Sequence, residues 1–354
     1  MAIPGLSRSA LKQRSEVLIV KEKKDAVLER RNFLMAALGA TVSFGWSASA
    51  TSFDRHFPVS VSHAFGTTII PEPPRRIVTL GWGGEDALLA LGVTPIAMPS
   101  YGQFPNGVLP WVANKIGDAK PTLLNQGLID YEALALLKPD LILAIRTNIN
   151  AQAWHRLQQI APTVAYRSGP LQADWKEITE LAGAAIGLSG QASDLISATK
   201  VQLRDLAKVH PHIRDRTFVF GNYFPASNAI DVYLPPDGRV ASLLELGLRI
   251  APSALSFASS TRRKIVASIS LELLDTIETD LLILWFPPGA RLELEGNSLF
   301  KRFSPVVNGG YVPLDDPLAV WVACNPSVLS IPYGFPKFAS RLEGTSKHSV
   351  GIDR

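Results

Sequence analysis

Apolar and polar positions along this chain repeat as a block. Asp130-Tyr-Glu-Ala-Leu-Ala-Leu-Leu-Lys-Pro-Asp-Leu-Ile-Leu-Ala144 returns in degenerate form, 140 residues later, as Ser270-Leu-Glu-Leu-Leu-Asp-Thr-Ile-Glu-Thr-Asp-Leu-Leu-Ile-Leu284. Glu132 matches Glu272, Leu134 matches Leu274, Leu137 matches Ile277 and Asp140 matches Asp280. Each block predicts a short helix running into a buried strand. Asp130 and Ser270 are good N-caps, each glutamate falls in a first turn near the positive end of the helix dipole, and the apolar runs have the length of parallel core strands. Two copies at this spacing imply two similar α/β lobes rather than a stacked array.

The remaining pattern fills in both lobes. Ile77–Leu80 predicts a strand, Gly81-Trp-Gly-Gly84 a turn, Glu85–Leu91 a helix closed by Gly92, and Thr94–Met98 the next strand. The strand Leu141–Ile145 ends at Arg146, and Ala153–Ile160 and Thr163–Tyr166 give another helix and strand. Trp175–Ile186 is helical in pattern. From Ala192 the spacing of Leu195, Ile196, Leu203 and Leu206 continues to about Val209, where His210-Pro211 stops it. Such a helix is about 30 Å long, the breadth of a domain, and suits a stiff connector with limited hinge motion. Beyond it, Thr217–Phe220, Ile230–Leu234 and Leu281–Leu284 predict strands, Val240–Leu246 a helix ended by Gly247, and Ala319–Cys324 a further strand-like run. The organisation expected is a leader over 1–50, a first α/β lobe over 51–187, a connecting helix over 188–210, a second α/β lobe over 211–342 and a frayed polar tail over 343–354.

The leader reads as a twin-arginine export signal. Arg30-Arg31 precedes about a dozen weakly apolar residues and the small-residue site Ala48-Ser-Ala50, too short a stretch for the roughly 20 residues of a membrane span. Export through the twin-arginine translocase to the periplasm follows as an expectation.

Charge and composition narrow the function. Eight of the Lys/Arg and four of the Asp/Glu fall within residues 1–50, and the rest of the chain is balanced at 27 of each. A neutral body lacks the basic stripe of a nucleic-acid binder. The single cysteine, Cys324, permits no internal disulfide. No nucleophile elbow, zincin helix, phosphate loop or paired Cys-x-x-Cys occurs, and none of the six histidines forms a helical i,i+4 pair. An exported two-lobe chain without catalytic or metal-binding grammar points to a binding protein, not an enzyme, with no resident cofactor. Ligands of open α/β sheets bind at the carboxyl ends of strands, which singles out Trp82, Arg146, Trp285, Phe286 and Trp321.

These residues carry a resemblance. Arg76-Ile-Val-Thr-Leu-Gly-Trp-Gly-Gly-Glu-Asp-Ala-Leu-Leu-Ala-Leu-Gly-Val-Thr-Pro95, the block at 130–143, Ile160-Ala-Pro-Thr163, Leu244-Glu-Leu-Gly-Leu248 and Ser270-Leu-Glu-Leu-Leu274 resemble, in order and spacing, the iron–siderophore periplasmic binding proteins of ABC importers, nearest to the ferrichrome/hydroxamate-binding type. The resemblance covers residues 65–340. It implies the helical-backbone fold: two three-layer α/β lobes joined by one long α-helix, with a ferric siderophore in a shallow cleft. It also implies that Glu132 and Glu272, one per lobe, meet arginines of the inner-membrane permease, and a monomer is expected. An apolar ligand scaffold with oxygen acceptors suits aromatic walls and a guanidinium donor, so Trp82, Tyr101, Arg146, Trp285 and Trp321 are the expected ligand contacts. Three departures stand out. Gly81 occupies a position where the family often has glutamate, the segment between Asp118 and Glu132 is longer and offers only Lys120, and Ser259-Ser-Thr-Arg-Arg-Lys264 replaces an aromatic residue. Lys120, Arg262, Arg263 and Lys264 keep a tri-anionic catecholate ligand open. Cobalamin or haem is the alternative within the class, haem wanting a Tyr or His ligand at the cleft. An exported hydrolase would need a nucleophile–base pair.

Overall fold

A computed structural model describes residues 56–257 and 265–345. Arg30, Arg31, Arg262, Arg263 and Lys264 lie outside them. The hairpin β1 (Val59–His63) and β2 (Gly66–Ile70) comes first. The first lobe is then built on β3 (Ile77–Thr79), β4 (Ala97–Pro99), β5 (Thr122–Leu124), β6 (Leu141–Ala144) and β7 (Thr163–Ala165), all parallel, in the order β5-β4-β3-β6-β7. The second lobe holds β8 (Thr217–Asn222), β9 (Ala229–Tyr233), β10 (Arg249–Ile250), β11 (Val266–Ser270), β12 (Leu281–Trp285) and β13 (Tyr311–Leu314). Its order is β11-β9-β8-β12-β13, with β10 beside the start of β8, β9 antiparallel to β8 and β11 antiparallel to β9.

The continuous apolar runs are central strands because both of their faces are covered. Along β12, Leu281 and Ile283 enter one core while Leu282 and Leu284 enter another on the opposite face. Phe218 and Phe220 of β8 divide from Val219 in the same way, which makes the second lobe a three-layer sandwich. The core on the inner side is shared: Leu89, Met98 and Trp111 of the first lobe pack in one cluster with Ile283, Phe335 and Leu342 of the second.

The repeated block has a structural account. Asp130 caps the helix Tyr131–Leu136 by accepting from the Ala133 N–H at 2.9 Å, and Ser270 precedes a 3₁₀ turn over Leu271–Thr276. The aspartates at its end act as clamps. Asp140 accepts from the backbone N–H groups of Arg75 and Arg76, both at 2.8 Å, and Asp280 accepts from the N–H and hydroxyl of Thr217 at 2.7 and 2.8 Å. Each ties the start of its lobe's first central strand, β3 or β8, to the start of the neighbour, β6 or β12.

The connecting helix Ser189–Val209 has 21 residues. Two expectations are corrected. Ala319–Cys324 is part of a helix, Pro317–Cys324, in which Asp316 caps the Ala319 N–H at 2.9 Å and Pro317 takes the first-turn position. A run apolar on every side has no period, so it could not distinguish helix from strand. The last helix, Ser330–Gly344, continues through Glu343, where the polar tail was placed, because Leu342 is buried and the Glu343 carboxylate bonds His210 Nδ1 at 2.8 Å.

If the clamps hold the strands in register, Asp280→Ala lowers the unfolding free energy by about 1–2 kcal/mol, the worth of charge-assisted bonds at a partly wet site. A urea midpoint equal to that of the unaltered protein contradicts the assignment.

Candidate functional site

In the first sheet the strand order reverses between β3 and β6, and the loops leaving their carboxyl ends are pressed together. Gly81 has φ 77°, and a Cβ added there would lie 2.1 Å from the Arg146 carbonyl oxygen. The Trp82 N–H donates to that same oxygen at 3.3 Å. Glycine is therefore required twice over, by the left-handed backbone and by the close approach. A glutamate at this position has no room.

This switch point opens into a cavity of about 640 Å³. Its walls come from the loops after β3, β5 and β6, with Trp82, Leu123, Gln126, Leu128, Arg146 and Ile149 among them. Gln126 fixes the β5 loop to the tryptophan: its Oε1 accepts from Trp82 Nε1 at 3.1 Å and its Nε2 donates to the Ser100 carbonyl at 2.6 Å. Leu128 stands at the rim with 93% of its surface exposed. None of the lining residues is a histidine, tyrosine or cysteine, and the one acidic lining residue, Asp130, is engaged as a helix cap.

Arg146 lines the cavity and is buried. Two of its nitrogens reach across to the second lobe, Nη2 to the Cys324 carbonyl at 3.2 Å and Nη1 to Asn325 Oδ1 at 3.4 Å, and its guanidinium lies 5.6 Å from the Trp82 ring centroid. Its Nε–H has no partner. Burial pushes its pKa down to about 10, with the Asp237 carboxylate acting the other way, so it stays a cation at neutral pH.

At the switch point of the second sheet, between β8 and β12, stands a second aromatic group. Trp285 Nε1 donates to the Tyr233 hydroxyl at 2.5 Å, which donates to Asn222 Oδ1 at 2.6 Å, and the half-exposed Phe224 meets the Trp285 ring edge-on at 5.5 Å. Arg239 lies over the Tyr233 ring, 3.4 Å from its centroid, and is held bidentate by Asp237 at 2.9 and 2.6 Å. Asp237 and Arg239 were not singled out from sequence. The only signal was Pro235-Pro-Asp-Gly-Arg239 between a predicted strand and helix, which also describes an ordinary helix start.

Of the expected ligand contacts, Trp82 and Arg146 line the cavity and Trp285 stands apart at the second-lobe strand ends. Tyr101 is corrected: it is buried, donates its hydroxyl to Glu85 Oε1 at 2.5 Å and meets Trp321 edge-on at 4.8 Å, so it supports the wall rather than forming it. Trp321 sits on a helix, edge-on to Trp82 at 5.8 Å, and does not line the cavity. Lys120 is exposed and outside the lining. Glu132 and Glu272 are both exposed in the first turn of their helical segments.

Comparison with known proteins agrees with this architecture. A family described as Periplasmic binding protein matches residues 77–285. The chain is 27% identical to the putative ABC transporter substrate-binding lipoprotein YhfQ of Bacillus subtilis, over 81% of this chain and 89% of that one. It is 34% identical, over 42% of this chain and 44% of the other, to the probable siderophore-binding lipoprotein YfiY of the same organism. Among solved structures, PiaA of Streptococcus pneumoniae in complex with ferrichrome superposes with a TM-score of 0.75 at 28% identity, covering 82% of this chain and 99% of that one. Among the described residues no helix is long and apolar enough to cross a membrane.

The contact between Gly81 and Arg146 makes Gly81→Ala costly. We expect a loss of roughly 2–4 kcal/mol from positive-φ strain and the displaced loop, read by denaturant titration. Stability equal to that of the glycine form would mean that the two loops are not in contact.

Proposed function

This chain belongs to the periplasmic binding protein family, and on that footing we propose that it is the extracytoplasmic receptor of an ABC importer, binding a ferric siderophore of hydroxamate type in the cleft between its lobes. The observation that carries the ligand class is the cavity wall: mainly apolar, with Trp82 as its aromatic residue, neutral amide and hydroxyl side chains between, one buried guanidinium and no set of side chains able to seize a bare ion. Iron would thus arrive already chelated. A ferric hydroxamate has its metal saturated by ligand oxygens, little net charge and an apolar backbone, which matches Trp82, Leu123 and Leu128 as walls and Arg146 as the donor to a chelating oxygen. A tri-anionic catecholate would call for several cations, and Arg146 is the one among the lining residues. A haem would call for an axial Tyr or His, and the lining has neither. That PiaA was solved with ferrichrome supports the same class.

In this reading the first lobe receives most of the complex, and Trp285, Phe224 and Arg239 close it from the second. Glu132 and Glu272, exposed at equivalent places on the two lobes, meet cations of the permease. The leader with Arg30-Arg31 addresses the twin-arginine translocase and hence the periplasm. The receptor works as a monomer.

Ferrichrome should quench tryptophan emission saturably, and Trp82→Ala should weaken binding by about 2 kcal/mol, the loss of a central aromatic wall. Undiminished affinity in that variant would remove the cavity from the site.

For docking, the double variant Glu132→Ala with Glu272→Ala should keep ferrichrome affinity and fold while losing uptake in cells that depend on this receptor. Its salt-sensitive association with the reconstituted permease should fall in parallel. Normal uptake, or lost ligand affinity, would assign these glutamates elsewhere.

A further inference from the structure

We propose that Glu85, carrying a proton, is a positioning residue for the ligand site: through Tyr101 and Trp321 it holds Trp82 against the cavity. The inference rests on the ligand reading above for its binding arm and on geometry for the rest.

The helix Gly84–Ala90 carries Glu85 and Asp86 at successive positions, both fully buried, where the two lobes meet. Asp86 Oδ2 accepts from Trp111 Nε1 of the first lobe at 2.8 Å and from the Ser327 hydroxyl of the second. Glu85 Oε1 accepts from the Tyr101 hydroxyl at 2.5 Å. Glu85 Oε2 and Asp86 Oδ1 have no partner at all. From Tyr101 the contacts continue outward, ring edge to ring face, to Trp321 at 4.8 Å and from Trp321 to Trp82 at 5.8 Å, which forms the cavity wall.

Two adjacent carboxyls in a dry site cannot both be ionised without a cation between them. The groups packed around them supply none. The helix Pro110–Ile116 offers Trp111, its Lys115 being exposed; the helix Trp175–Ala185 offers the buried Ile178 and Thr179; the segment after Cys324 offers Ser327. Arg146 acts electrostatically on Tyr101, while the charge acting on Glu85 is that of Asp86. Asp86 accepts two side-chain donors and Glu85 one, the backbone N–H groups of Glu85 and Gly83 acting on Glu85 more weakly than Tyr101 does, so the proton belongs on Glu85. Burial first, then the Asp86 charge, push Glu85 up to about 8, while burial pushes Asp86 up to about 6 against its two donors. Burial first, then the acidic pair beside it, keep Tyr101 a phenol.

The sign follows. A carboxyl whose pKa is raised by folding favours the native state fully below its ordinary value of 4.5 and loses that effect as pH rises through about 8. Ionised Glu85 leaves two like charges in one dry pocket, relieved by parting the carboxyls or admitting water, and either movement shifts Tyr101 and the rings stacked beyond it.

The test is ferrichrome titration of the full protein at several pH values, with near-ultraviolet circular dichroism of the ligand-free protein alongside. Affinity should fall about tenfold between pH 7 and pH 9, as release of one proton near pH 8 requires, and the tryptophan dichroism should change with the same midpoint. Glu85→Ala should lose affinity at both pH values, and Glu85→Gln, the neutral isostere, should rescue it and flatten both profiles. If Glu85→Ala fails to fold, the comparison of Glu85→Gln with the unaltered protein still decides. A Glu85→Gln protein that keeps the alkaline loss, or an unaltered protein with flat profiles to pH 9, overturns the proposal. If the unaltered protein binds no ferrichrome at any pH, the ligand reading falls, and the dichroic transition alone judges Glu85.

Discussion

The site depends on how closely the strand-end loops of the two lobes are packed, because that contact braces Arg146 and Trp82 in the wall of the first-lobe cavity and limits the freedom of the lobes to move. Three kinds of contact make the seam. Arg146 bridges to Cys324 and Asn325, and Lys176 of the first lobe meets Glu245 of the second at 2.5 Å. Gly238, at the start of a second-lobe helix, lies so near the first lobe that a Cβ there would be 2.6 Å from the Ala173 carbonyl oxygen. Trp111, a member of the shared apolar core, also meets the exposed Tyr333 of the second lobe, with ring centroids 5.7 Å apart. Wide opening would expose that core, take the Ser327 hydroxyl from Asp86 and leave the Arg146 guanidinium without its two acceptors, a loss of several kcal/mol. A stiff seam under a preformed cavity therefore favours delivery by docking over delivery by domain swing.

Much of the scaffold was legible because its signals are local. Caps such as Asp130 and Ser270, glycines closing helices, and apolar runs of strand length are set by residues within a few positions of each other. The internal repeat added a global fact, two lobes, and the clamps made by Asp140 and Asp280 now explain why aspartate recurs there. Where the pattern was silent the reason is equally physical. Ala319–Cys324 is apolar on every face, so neither period applies.

The site was legible only in part. Trp82 and Arg146 follow from the strand-end rule, since the switch point between β3 and β6 sits where the repeat places it. Tyr101 looked like a loop aromatic, yet its environment is decided by Glu85, sixteen residues earlier, and by Trp321, far along the chain. Arg239 was invisible for the same reason: its role depends on the Tyr233 ring and the Asp237 carboxylate, whose geometry no spacing reveals. Long-range side-chain contacts, not backbone elements, separate what the sequence discloses from what only the fold does.

The central claim is that an already chelated iron is received in the cavity between the loops after β3 and β6, with the seam intact. A crystal structure of the protein with ferrichrome tests it most directly. The complex should lie against Trp82 and the β5 loop, with Arg146 still bridging to Asn325 and Asp86 still held by Ser327. Iron-containing density elsewhere, or lobes parted along the seam, would contradict it.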